Sequence, residues 1–457
     1  MTAESAPHAP APTAVDLGAL GAELVSTVGG RWVITDERCR AYTVDGCTPA
    51  FVVLPGSAEE VAAVLAVADR AGAAVIPWGG GSARALGYPP RAAHVALDLR
   101  RLNQVLQYEP ADLTISVQAG ITFAALATVL AAHGQRLPLD CAPAEVATLG
   151  GLVATNLAGP RRLRYGTLRD LLIGIRVAHP DGTLSRGGGM VVKNVSGYDM
   201  MKLYLGSLGT LAVIVEVNCK VAPLPATEGT ALAVFPALEP ALAAAEALLA
   251  SQLLPCAVVV ADRAVAAGLG LAAGALLAIR FEGQARATER QLAEVRAQGP
   301  AWGAKTVYVL GTAESAAFWA RVIAFQTLDV APINSALLKL SVLPSALGPC
   351  LADVAELSAQ VDLHCLQLAD AGSGIVYARV GQPEERPEAV FAWALWALQT
   401  ELVRRWGQSV VLACPTVAKA NLPLWGREPA GLAVMRALKA QFDPHGILNP
   451  GRFVGGI

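Results

Sequence analysis

Three glycines and a serine at Gly79-Gly80-Gly81-Ser82, entered from Pro77-Trp78 at the end of an apolar strand pattern, leave the main chain open to close approach by an anion. No Cβ shields that backbone, and consecutive amides there can point at a single diphosphate. The same four residues also suit a plain flexible turn. A second stretch, Thr148-Leu149-Gly150-Gly151, is followed by apolar Leu152-Val153-Ala154 and polar Thr155-Asn156. It reads as the start of a helix whose free amides and dipole would face the same phosphates, although alone it is equally a packing turn. The expectation is that both stretches converge on one diphosphate.

Other chemistry is thinly supplied. The histidines at 8, 94, 133, 179, 364 and 445 are isolated, without HExxH spacing, and no GxSxG elbow is present, so neither a zinc hydrolase nor a serine hydrolase is indicated. The eight cysteines form no CxxC pair, which argues against a zinc ribbon or an iron-sulfur cluster in this chain, and no metal site is expected. Gly268-Leu269-Gly270-Leu271-Ala272-Ala273-Gly274 nearly spells a dinucleotide fingerprint, but its spacing is one residue too long and no strand directly precedes it. Small residues for close packing explain it better.

The elements that must position the glycine stretches follow from periodicity. Val15 to Val28 is amphipathic and helical, and Phe51 to Leu54 is a short strand. Ser57-x-x-Glu60 is a capping box opening a helix that Gly72 closes, and Ala73 to Pro77 returns as a strand. Strands are expected near His94 to Leu99 and at Leu113 to Gln118, then a helix from Phe123 to His133 capped by Thr122. Strands at Gly174 to Ala178 and Leu211 to Lys220 flank a glycine-rich loop at Gly187 to Gly189. From Glu228 the pattern changes to Ala/Leu helices and Val-rich strands, which predicts α+β packing in a separate lobe, and the last helix spans Leu432 to Phe442.

Taken in order, Pro77-Trp78-Gly79-Gly80-Gly81-Ser82, Leu149-Gly150-Gly151 with Thr155-Asn156, Gly206 to Ile214 and the closing Ile447-Leu448-Asn449-Pro450-Gly451 resemble the PCMH-type FAD-binding flavoproteins, the vanillyl-alcohol oxidase superfamily. Within it, Gly159 to Gly166 with Arg169-Asp170, and Val192-Lys193-Asn194-Val195-Ser196-Gly197-Tyr198-Asp199, look most like the FAD-binding subunits of bacterial glycolate oxidases. The resemblance implies an α+β fold: a disordered tail at 1–14, a helical lead-in at 15–46, a two-lobed FAD-binding domain at 47–226, a cap domain with an antiparallel sheet at 227–430, and a segment at 431–457 that docks back. It implies FAD held by Pro77 to Ser82, by Thr148 to Gly151 with Thr155 and Asn156, by backbone near Ile214, and by Asn449. Family members with covalent FAD use a His or Cys in the glycine loop, and this loop has neither, so the resemblance implies non-covalent binding.

The departures are as informative. Related 2-hydroxy acid oxidases carry H-x-G-D-G-N-x-H in the second lobe, whereas the corresponding stretch here, Asp370-Ala371-Gly372-Ser373-Gly374-Ile375-Val376-Tyr377, keeps both glycines and neither histidine. An Asp and a Tyr make a poor transition-metal site. Arg321 and Lys339 resemble basic residues that grip a substrate carboxylate; a solvated helix Arg and a snorkelling strand Lys are the plainer reading.

A formal net charge of -2 with no basic run excludes nucleic acid as an expected partner. The mean hydropathy of +0.46 rests on alanine, and the longest uncharged apolar run, Arg263 to Arg280, reads as buried helix running into strand rather than a span. The first residues lack a signal-peptide pattern, so a cytoplasmic address is expected, with any membrane association through a complex. The function expected from the resemblance is oxidation of glycolate or another small 2-hydroxy acid to the oxo acid, alongside a second flavoprotein subunit and an iron-sulfur subunit. A non-catalytic FAD scaffold or electron relay, and a free-standing hydroxy-acid dehydrogenase, stand as alternatives.

Overall fold

A computed structural model describes residues 15–191, 197–271, 274–327 and 333–457. The tail at 1–14 and the Val192 to Ser196 part of the glycolate oxidase-like stretch lie outside the described residues. The architecture is α+β, as expected.

A four-stranded sheet runs in the order Val33–Ile34, Phe51–Val53, Val95–Asp98, Val75–Trp78. Its last three strands are parallel. The helix Ala58–Arg70 makes the crossover between Phe51–Val53 and Val75–Trp78, and Val61, Leu65 and Ala68 seat it on the sheet. Ser57 caps that helix through the Glu60 amide at 3.1 Å, but the Glu60 carboxylate reaches the amide of Gly56, one residue earlier than in a standard capping box.

Beside it stands a five-stranded antiparallel sheet ordered Val105–Glu109, Thr114–Gln118, Val213–Lys220, Leu172–Ala178, Leu184–Gly188. The stretch Gly187 to Gly189 is therefore not simply a loop. Gly187 and Gly188 end an edge strand, with Gly188 opposite Gly174, because small residues on both strands let the backbones pair closely.

The rest of the chain builds an eight-stranded antiparallel sheet, ordered Thr306–Leu310, Thr227–Phe235, Ala275–Gly283, Ala257–Ala261, His364–Asp370, Ile375–Gly381, Ser335–Ser341, Ser409–Ala413. Alternate residues serve two different cores. Ala231, Val258, Leu277, Leu338 and Val376 pack under the helices Leu238–Leu249, Leu347–Gln360 and Glu388–Trp406. Leu232, Val259, Leu276, Leu337 and Tyr377 face the other way and join Leu86 and Leu208 of the first sheets' connections. Burial on both faces explains why these strands read as continuous apolar runs.

The helix Leu432–Phe442 leads into a turn whose Leu448 forms a parallel bridge with Val75, at the edge of the four-stranded sheet. Among the described residues no helix is long and apolar enough to cross a membrane. Gly274 packs where a Cβ would overlap the Phe235 carbonyl, in keeping with a packing role; Ala272 and Ala273 lie outside the described residues.

Candidate FAD cleft

A cleft of about 1130 Å3, counting the part that opens to solvent, runs between the first lobe and the eight-stranded sheet. Pro77, Trp78, Gly79, Gly80, Gly81 and Ser82 line one wall, with Thr148, Gly151 and Thr155 beside them. The two glycine stretches are in direct contact. A Cβ on Gly79 would overlap the Thr148 hydroxyl, and one on Gly80 would overlap the Val146 carbonyl.

The two stretches differ in what they leave free. Among the described residues the amides of Gly79, Gly80, Gly81 and Ser82 donate no hydrogen bond, although they sit at the end of a buried strand. Unpaired amides at such a place call for an acceptor from outside the chain. The expectation of free amides at the second stretch fails: Leu149 donates to Ile121, Gly150 to Ala119, and Gly151 to the Thr148 hydroxyl at 3.3 Å. That helix start is tied to the loop preceding Phe123–Ala131, so Gly151 offers close approach rather than donors.

Other expected positions fall behind the wall. Leu149 and Gly150 are buried, Gly150 against Ala119 at 2.7 Å from where its Cβ would be, and neither lines the cleft. Asn156 closes the helix in a left-handed conformation (φ 49°) and also stands outside the lining. The Ile214 side chain lies in the core of the five-stranded sheet, although it shares its parity with Glu216, Asn218 and Lys220; a register shift between Ile214 and Glu216 puts it with Val217 and Cys219. Asn449 does line the cleft, with its Nδ2 donating to the Leu208 carbonyl at 2.5 Å and its buried Oδ1 unpaired.

The opposite wall comes from the large sheet: Ile323, Gln326, Thr327, Tyr377 and Leu412. Leu337 faces the cleft side, so Lys339, two residues on, shares that face with Tyr377, its register partner. Asp370, two residues after Leu368, is on the same face. Burial, together with the positive charge of Arg162, brings the Lys339 ammonium down to about 8. Burial pushes the Asp370 carboxyl up to about 7 against the pull of Arg162 and a 3.1 Å bond from Gln326. Its second oxygen is unpaired. Arg321, the other candidate cation, is exposed, beside Gly270 and away from the lining. A helix register that buries Phe318, Trp319 and Val322 turns it outward.

Sequence reasoning missed Asp140, Cys141, Gly159, Gln326 and Arg452, all in the lining. Asp140 anchors Arg161 at 2.6 Å, within a buried network in which Arg136, Arg161 and Arg280 meet Asp140, Glu228 and Glu282 across the two lobes. No His/Cys/Asp/Glu group that could hold a metal occurs among the described residues.

These features fit FAD: unpaired amides on a glycine cradle that a Cβ would fill, and orphaned buried polar atoms at Asn449 and Arg452. Comparison with known proteins agrees. Residues 49–188 match the FAD binding domain, and residues 224–409 with 417–453 match the C-terminal domain of FAD linked oxidases. The glycolate oxidase subunit GlcD of Bacillus subtilis is 27% identical, over 88% of each chain. A D-2-hydroxyglutarate dehydrogenase of Xanthomonas citri is 29% identical over 88% of this chain and 89% of its own. A shorter match, 42% identical over 132 residues, covers 28% of this chain and 37% of the glycolate oxidase subunit GlcE of Escherichia coli. Among solved structures, p-cresol methylhydroxylase superposes with a TM-score of 0.74 at 15% identity over 95% of this chain and 96% of that one. An alkyldihydroxyacetonephosphate synthase gives 0.73 at 21% over 97% and 86%. With an FAD-binding domain, an FAD-linked oxidase C-terminal domain and a PCMH-type fold, the chain belongs to the FAD-linked oxidases and is an FAD-dependent oxidoreductase.

Proposed function

We propose that the chain is a subunit of a glycolate or related 2-hydroxy acid oxidoreductase, with non-covalent FAD lying along the cleft and its diphosphate on the amides of Gly79 to Ser82. Gly151 and Thr155 border the same space. The observation that carries the substrate class is the position of Lys339 on the cleft-side face of the sheet, next to Tyr377 and within the field of Arg162. Two cations close to a mostly apolar wall attract a small carboxylate, Lys339 as a point charge.

FAD, when bound, supplies the hydride acceptor. The chain's part is to orient the substrate with Lys339 and Tyr377 and to keep water out with Ile323 and Leu412. The cysteines are all unpaired and dispersed and offer no iron-sulfur relay, so electrons pass from the flavin to an acceptor outside this chain. That favours a complex with a second flavoprotein and an iron-sulfur subunit.

A second reading has one observation behind it. By the resemblance, Asp370 and Tyr377 take the place of metal-binding histidines, and no group that could hold a metal occurs among the described residues; the chain's flavin would then relay electrons while a partner oxidises the substrate. Anaerobic titration of the FAD-loaded chain with glycolate, D-lactate and D-2-hydroxyglutarate separates the two. Bleaching of its own flavin by one of them supports the first reading; no bleaching by any of them supports the relay.

A further inference from the structure

Arg452 follows the turn Asn449-Pro450-Gly451 and lines the cleft while only 4% exposed. Its guanidinium donates twice at 2.7 Å, to the carbonyls of Arg84 and Leu86, and its Nε is buried without a partner. Among the described residues it forms no ion pair with a carboxylate. The other buried arginines nearby are different: Arg161 and Arg280 each meet carboxylates. Asp140, which also lines the cleft, is already neutralised by Arg161. The cleft thus holds a buried positive charge that feels Asp45 only at a distance, and Asp45 is already paired with Lys419 at 2.7 Å; this is a costly arrangement unless something anionic completes it.

The carbonyls that Arg452 grips belong to the loop that continues from Gly79-Gly80-Gly81-Ser82, so the charge is fastened to the loop that carries the unpaired amides. We infer that Arg452 is a cofactor-binding residue, its guanidinium being the counter-charge to the diphosphate of FAD, and that the segment 449–452 thereby forms part of the FAD site. This rests on the placement of the diphosphate proposed above. Burial lowers the Arg452 guanidinium to about 10 against the opposing charge of Asp45, which is the behaviour of a cation short of anionic neighbours.

The test uses the full-length apoprotein and three probes: FAD, ADP as its diphosphate half, and riboflavin as its flavin half. Arg452→Met is expected to weaken FAD and ADP alike by about tenfold or more, the range for a charged hydrogen bond, and to leave riboflavin unchanged. Arg452→Lys, which keeps the charge, is expected to recover most of the loss. Unchanged ADP affinity in Arg452→Met overturns the inference, as does an equal loss of riboflavin. If Gly151→Ala lowers ADP affinity while Arg452→Met does not, the diphosphate placement stands and the role of Arg452 falls; if neither does, the placement itself fails. Should Arg452→Met not fold, the wild-type protein decides. ADP affinity that falls steeply with salt between roughly 0.05 and 0.5 M supports a charge contact, and a flat dependence overturns it.

Discussion

The α-carbon of Gly80 lies so close to the carbonyl oxygen of Val146 that a single methyl group would overlap it. Gly151, on the same wall of the cleft, has only the Thr148 hydroxyl at 3.2 Å from where its Cβ would be. The two glycines should therefore fail differently. Gly80→Ala must push two loops apart and is expected to cost about 1–3 kcal/mol of stability, the usual scale of overpacking. Gly151→Ala is expected to leave the melting temperature of the apoprotein within a degree or two of wild type, on the order of a near-neutral change, and to reduce FAD retention. Paired thermal melts with and without FAD distinguish them.

Asp370 makes a pH prediction. Its carboxyl stays protonated in the fold up to about 7 because it is buried, while an unfolded Asp ionises near 3.9. Between those values the native state holds the extra proton, so this group makes stability fall as pH rises from about 4 to about 7. Asp370→Asn is expected to remove that part of the slope. Urea midpoints of both proteins at pH 5, 6, 7 and 8 check it; parallel curves would refute it.

Glu282 works in the opposite sense. Burial pushes its carboxyl up, but the hydrogen bond from Arg136 and the charges of Arg161, Arg136 and Arg280 outweigh burial and hold it down to about 2. Its stabilisation is complete above the unfolded value of about 4.3 and is lost as pH falls toward 2. Glu282→Gln leaves three guanidiniums short of a carboxylate between the lobes and is expected to cost about 3–5 kcal/mol, as for a broken buried pair. Chemical denaturation at neutral pH measures it.

Lys339→Met is expected to raise the KM for a 2-hydroxy acid about tenfold or more, in line with losing a charged contact, with a smaller change in kcat. In the wild type KM should climb above pH 8 as the ammonium loses its proton. The variant should lack that climb. An unchanged KM would remove Lys339 from substrate binding.

The near wall of the cleft was legible because glycine pairs mark places of close approach, and Gly79 and Gly80 make one against Thr148 and Val146. What misled was the assumption that a helix start has idle amides. At Leu149 and Gly150 they are taken by Ala119 and Ile121, partners about 30 residues earlier that no local pattern names. The burial of the Ile214 side chain was not legible, since alternation groups it with Glu216, Asn218 and Lys220 and only a register shift in the sheet turns it inward. Arg452 was within reach, as a lone cation after Asn-Pro-Gly near an apolar terminus. The far wall was not, because Gln326, Tyr377 and Leu412 are brought together only by the strand order of the large sheet.

The bonds from Arg452 to Leu86 join residues 366 positions apart. On the ribosome, the glycine loop therefore emerges long before the arginine that fastens it. A nascent or prematurely terminated chain would carry both sheets of the first lobe yet present an unfinished pocket, so cofactor loading should be a late, post-translational event in this protein's biogenesis.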